Sequence, residues 1–129
     1  MKESIQNYLD HADDALDAAN VLLANEHVLA LANRAYYAVF YCVCALLLTE
    51  SVTTKKHEGA RVKFHELFVK TGKFEREVGA ILERSLEARQ SADYDMDTHI
   101  TEEQARKLLD DARYFYAATV TYFQQSQLV

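Results

Sequence analysis

Arg89 is a charge standing where the pattern asks for a hydrophobe. Val78, Ile81, Leu82 and Leu86 follow helical spacing, and the same stripe continues onto Arg89 and then Asp93. A guanidinium cannot shed its charge, so on an inward face it requires an acidic or polar partner. Asp93, one turn later, is placed to be that partner. The run from Ala88 to Tyr94 therefore reads as an inward-pointing polar site. In it Arg89 holds an anion or Asp93, Asp93 fixes the arginine rotamer, and Tyr94 closes the site. Arg34 and Tyr37 on an earlier apolar segment, and His57 at the start of another, lie on inward stripes and supply surrounding groups. Two arginines, an aspartate, a histidine and tyrosines brought together could bind phosphate or an RNA backbone. They could equally form a self-satisfied polar network.

Other chemistries fit the residues less well. The five histidines, at 11, 27, 57, 65 and 99, offer no i, i+4 pair with a third ligand in reach, so no metal site is expected. There is no phosphate-cradling glycine loop and no Gly-x-Ser-x-Gly elbow. Cys42 and Cys44 sit two apart in apolar surroundings, where they neither pair nor become reactive. They read as buried free thiols in a reducing cytoplasm.

Five helices must position these residues. Residues 4–24 carry Ile5, Tyr8, Leu9, Ala12, Leu16, Ala19 and Leu23 on one face, and Asp10, Asp13, Asp14 and Asp17 on the other. Residues 28–49 are apolar on nearly every side, the mark of a central helix. Their exceptions are Asn33, Arg34, Tyr37 and Tyr41. A loop is expected over about 50–55. A third helix starts near Lys56 or His57 and stops at Gly72, with Ala60, Phe64, Leu67 and Phe68 inward and His57 and Arg61 prolonging the stripe. The fourth runs from about 74 or 75 to Asp93. Thr101 and Gln104 match a capping box that opens the fifth, which ends near Gln125.

Composition sets the class. The chain has 129 residues, half of them hydrophobic, no proline and three glycines, which disfavours all-β and doubly wound folds. One domain, residues 1–129, is expected. A net charge of −6 argues against a broad nucleic-acid-binding surface, though not against a local basic cleft. The apolar stretch from Val28 is broken by Asn33 and Arg34 and crowded with tyrosines, so a buried helix is favoured over a membrane span. No signal peptide is visible. A cytoplasmic protein with no membrane partner is the expectation.

Four motifs in order, NRAYYAVFY at 33–41, KHEG at 56–59, FVKTG at 68–72 and RQSADY at 89–94, resemble the HEPN superfamily. The closest branch is its compact prokaryotic one, once catalogued as an uncharacterised protein family. The resemblance implies an all-α, up-and-down bundle of about five helices and a homodimer with polar sites joined across the interface. No cofactor is expected. The resemblance also implies a ribonuclease toxin, or a partner of a small nucleotidyltransferase that serves as antitoxin. The family signature is an arginine, four to six residues, then a histidine. The arginine carries over to Arg89, but the matching positions hold Tyr94, Asp95 and Met96, and His99 lies beyond them. Arg61 and His65 have only three residues between them. The favoured expectation is a non-catalytic interaction and regulatory module, paired with a nucleotidyltransferase-domain protein and binding a nucleotide or RNA phosphate. The alternative is a metal-independent ribonuclease using Arg89 with His57 or His99.

Overall fold

The computed structural model describes residues 2–54 and 56–126. It is built from α1 (Lys2–Ala24), α2 (Val28–Leu48), α3 (His57–Phe64), α4 (Arg76–Tyr94) and α5 (Glu102–Ser126), with no strand among the described residues. The expected all-α bundle is present. Lys55, at the end of the expected loop, lies outside the described residues.

Helix α2 is the axis. It packs against α1, α3, α4 and α5. Ala32, Ala35, Ala38 and Ala45 are buried to within 1 % and let neighbouring backbones approach closely. By length and composition α2 would also suit a bilayer, but the other helices cover most of its apolar surface. The cover is incomplete on one side, where Tyr37, Phe40 and Tyr41 remain half-buried.

Local signals explain the helix ends. Thr101 Oγ1 accepts from the Gln104 N–H at 3.1 Å, and Gln104 Oε1 accepts from the Thr101 N–H at 2.9 Å, the reciprocal bonds of a capping box. Gly72 has φ of 81°, which a side chain would oppose, and it stops the third segment. At the end of α4 the Thr98 hydroxyl donates to Ser91 O at 2.9 Å and ties off a terminal carbonyl.

The third segment is not one uniform helix. After Phe64 it widens into a π-helical turn, His65–Val69, with the Lys70 N–H bonded to His65 O at 2.8 Å. Both Phe64 and Phe68 stay fully buried across the change, their rings 5.8 Å apart and the Phe115 ring 5.5 Å from Phe64. Gly79 of α4 lies against this turn. A Cβ there would meet His65 Cε1 at 3.1 Å and Val69 Cγ2 at 3.2 Å. His65 cannot swing clear, because its Nε2 is 3.0 Å from Glu83 Oε2. In an open helix Gly→Ala gains about 1 kcal/mol. Here Gly79→Ala is expected to lose about 1–2 kcal/mol in urea unfolding, because overpacking outweighs that gain. A stabilised variant would contradict the close approach.

Candidate functional site

The site forms where the end of α4 crosses α2 near the start of α3. Helix α4 delivers Arg89 on its buried side, with 19 % of the side chain exposed. Its Nε stands 2.9 Å from Asp93 Oδ2, and the Asp93 side chain is 27 % exposed. The N–H is not aimed at the carboxylate, so this is an ion pair and not a hydrogen bond, and the buried Nε keeps no hydrogen-bond acceptor. The guanidinium donates no hydrogen bond to any described residue. Aromatic faces surround it instead: its carbon is 5.6 Å from the centre of the Tyr36 ring, 5.7 Å from Tyr37 and 5.8 Å from Tyr94.

Helix α2 contributes the opposite wall. Arg34 donates from Nε at 3.1 Å and from Nη2 at 3.0 Å to Asn33 Oδ1. Asn33 Nδ2 in turn donates to Asp93 Oδ2 at 3.4 Å. Asp93 is thus shared between a cation on its own helix and an amide on α2. The Arg34 guanidinium also sits 5.0 Å from the Tyr37 ring centre.

Helix α3 brings His57. Its ring lies flat on Phe40, with centroids 4.1 Å apart and planes 3° from parallel. Its Nδ1 is 2.8 Å from the Tyr36 hydroxyl. Burial pushes the Tyr36 phenol up to about 12, against a smaller opposing pull from Arg89, so Tyr36 keeps its proton. Burial first, and the Arg89 charge second, hold His57 below the ordinary histidine range. A buried phenol is satisfied by donating, so Tyr36 donates to a lone pair on Nδ1. The neutral imidazole then carries its proton on Nε2. The arrangement can present N–H groups from His57, Arg89 and Arg34 to an anion, with no free imidazole lone pair beside them.

The six residues singled out in the sequence, Arg34, Tyr37, His57, Arg89, Asp93 and Tyr94, come together at this seam. Tyr94 departs from its expected role. It is 75 % exposed and stands at the rim, so it does not close the site. The α4 axis ends there, and the chain turns outward through Asp95, whose Oδ1 accepts from the Asp97 N–H at 2.9 Å. Three partners were missed: Asn33, Tyr36 and Phe40. Asn33 had a signal, as an amide within an apolar helix. Tyr36 and Phe40 read as core and gave none. His99 lines a cleft between α4 and α5 together with Arg84 and Ala88, on the face of α4 roughly opposite Arg89. A further polar cluster continues the α3 stripe, with Arg61 Nε 3.4 Å and His65 Nε2 3.0 Å from Glu83.

Comparison with known proteins agrees with this architecture. The chain matches the HEPN domain over residues 5–122. It is 39 % identical over 118 residues to a "UPF0332 protein" of Thermotoga maritima, covering 91 % of this chain and 89 % of the relative. Two proteins of Methanocaldococcus jannaschii are similar. "Putative toxin MJ0142" is 34 % identical over 121 residues, covering 94 % of this chain and 82 % of its own length. "Putative toxin MJ0605" is 37 % identical over 115 residues, covering 89 % and 85 %. The domain match spans nearly all of the five helices and these relatives align along most of their length, so the chain belongs to the HEPN domain family.

Proposed function

We propose that the chain is the HEPN component of a toxin–antitoxin-type pair, an interaction and regulatory module that binds a nucleotide or RNA phosphate without cleaving it. Arg89 and Arg34 would hold the phosphate, His57 would donate to it, Asp93 would orient Arg89, and Tyr37 and Tyr94 would flank it. The partner is a nucleotidyltransferase-domain protein, and the chain works in the cytoplasm as a homodimer. The half-buried Tyr37, Phe40 and Tyr41 on α2 support the dimer, since a second copy would cover them. The names of the Methanocaldococcus relatives support the toxin–antitoxin setting.

The state of His57 carries the non-cleaving reading. Transfer from a ribose 2′-hydroxyl needs a base with a lone pair facing that hydroxyl. With Tyr36 donating to Nδ1, as its buried hydroxyl requires, the Nδ1 lone pair is taken and the proton of the neutral ring is on Nε2. The second reading is a metal-independent ribonuclease toxin using Arg89 with His57 or His99, and the word toxin in those relatives' names is what supports it.

One preparation separates the two. The purified protein, with its expected dimeric state checked by light scattering, is mixed with labelled RNA in EDTA. No Arg89-dependent cleavage is expected, while Arg89→Ala weakens RNA binding by about tenfold or more, the loss of a charge-assisted hydrogen bond. Cleavage abolished by Arg89→Ala would overturn the reading. The His57 state has its own check. The folded protein holds His57 below its unfolded value of 6.5, so the unfolded chain binds more protons as pH falls. The contribution of His57 to stability is complete above that value and is lost as pH drops through the folded pKa. Melting temperature should therefore fall more steeply on acidification in the wild type than in His57→Asn. Parallel curves would show that His57 is not held neutral.

A further inference from the structure

Asp93 engages only one of its two oxygens. Oδ2 stands 2.9 Å from Arg89 Nε and accepts from Asn33 Nδ2 at 3.4 Å. Oδ1 makes no hydrogen bond to any described residue, and the side chain is partly open to solvent. A carboxylate set only to hold a guanidinium does so best through both oxygens, in a bidentate fork. That fork is not formed here, since the pair is made through Nε and its N–H is not aimed at the carboxylate. An acceptor with both lone pairs free thus stands in a site otherwise made of donors.

Those donors decide what can lie against it. The Nε side of Arg89 is given to Asp93, so a phosphate takes its terminal Nη groups, together with Arg34 and the Nε2 proton of His57. Phosphate oxygens brought up to Oδ1 are repelled by like charge. The part of the ligand next to the phosphate must therefore present a hydrogen-bond donor to Oδ1. In a nucleotide that part is the sugar, and its donors are hydroxyls; the amino groups of the bases lie beyond it. A hydroxyl on the carbon beside the phosphate ester would carry the phosphate charge onto the carboxylate. The 2′,3′-diol of a 5′-phosphate keeps the two charges a sugar ring apart. It also places no hydroxyl for attack on the bound phosphate, in keeping with binding without cleavage. The exposed Tyr94 ring at the rim offers a face on which the base stacks.

We propose that Asp93 is a specificity-determining residue that accepts the ribose diol of a ribonucleoside 5′-phosphate, so the site takes ribonucleotides and discriminates against their deoxy counterparts. Carboxylate recognition of ribose hydroxyls recurs in nucleotide sites, and the 2′-hydroxyl is the group that separates ribose from deoxyribose at one position. The bond is charge-assisted, and a sugar without the hydroxyl leaves Oδ1 unmatched. Oδ2 thus orients Arg89 while Oδ1 reads the sugar. The assignment rests on the phosphate-binding reading and adds the ligand class to it.

The full chain is titrated by calorimetry with the four ribonucleoside 5′-monophosphates, their 2′-deoxy counterparts and ribose 5-phosphate. The tightest ribonucleotide should bind about tenfold more strongly than its deoxy counterpart, and more strongly than ribose 5-phosphate, which has no base to stack. Asp93→Ala should bring the ribo-to-deoxy ratio to within about twofold, whatever it does to affinity through Arg89. Asp93→Asn, which keeps an amide oxygen, should leave an intermediate ratio. A purely structural role would shift both ligands together and leave the ratio alone. A wild-type ratio near one, a ratio unchanged in both Asp93 variants, or equal binding of ribose 5-phosphate would overturn the assignment. Arg89→Ala tells the two readings apart. Arg89-dependent binding without a ribose preference, or Arg89-dependent RNA binding with no mononucleotide binding, overturns this inference alone. Binding of every ligand indifferent to Arg89→Ala overturns both.

Discussion

A guanidinium must stay charged, and α4 carries one into the seam with α2. The surroundings of Arg89 follow from that constraint. A carboxylate one turn away supplies the opposite charge at 2.9 Å, and tyrosine faces on α2 and at the end of α4 supply a polarisable wall. Asp93 is held from the other side by Asn33, which Arg34 anchors. The pair is neutral as a unit, yet the donors of Arg89 make no hydrogen bond to described residues. A neutralised cation with available donors suits a reversible phosphate contact more than a charge waiting to stabilise a transition state.

The same packing governs the histidine. The His57 ring lies flat on Phe40, and its Nδ1 is engaged by the Tyr36 hydroxyl. Tyr36 plays this part as a protonated phenol, a state that burial reinforces by raising its pKa to about 12. The position of His57 thus depends on the depth at which α2 sets Tyr36 behind the site. The opposite face of α4 meets α5 through the ion pair of Arg84, held by Glu77 on its own helix, with the buried Asp111.

Much of this was legible in the residues. The five helices, the Thr101 capping box and the Gly72 stop depend on local spacing and local hydrogen bonds, which a sequence displays directly. Arg89 was legible because it breaks an apolar stripe. Its companions Arg34, Tyr37 and His57 were legible because each interrupts or prolongs one. The π-helical turn at His65–Val69 was not, because one extra backbone residue per turn leaves the order of apolar side chains intact. Tyr36 was hidden for a different reason: its ring belongs to the core and only its hydroxyl belongs to the site. The exposure of Tyr94 depends on where the α4 axis ends, which periodicity places only to within a few residues.

The central claim is that Arg89 and Asp93 act as one pair inside the α2–α4 seam. A double-mutant cycle with Arg89→Met, Asp93→Asn and the combined variant, read by urea unfolding, measures it directly. A coupling of about 1 kcal/mol or more is predicted for a pair this shielded from water. Effects that add to within about 0.3 kcal/mol would mean the two side chains do not act together, and the site built on them would not stand.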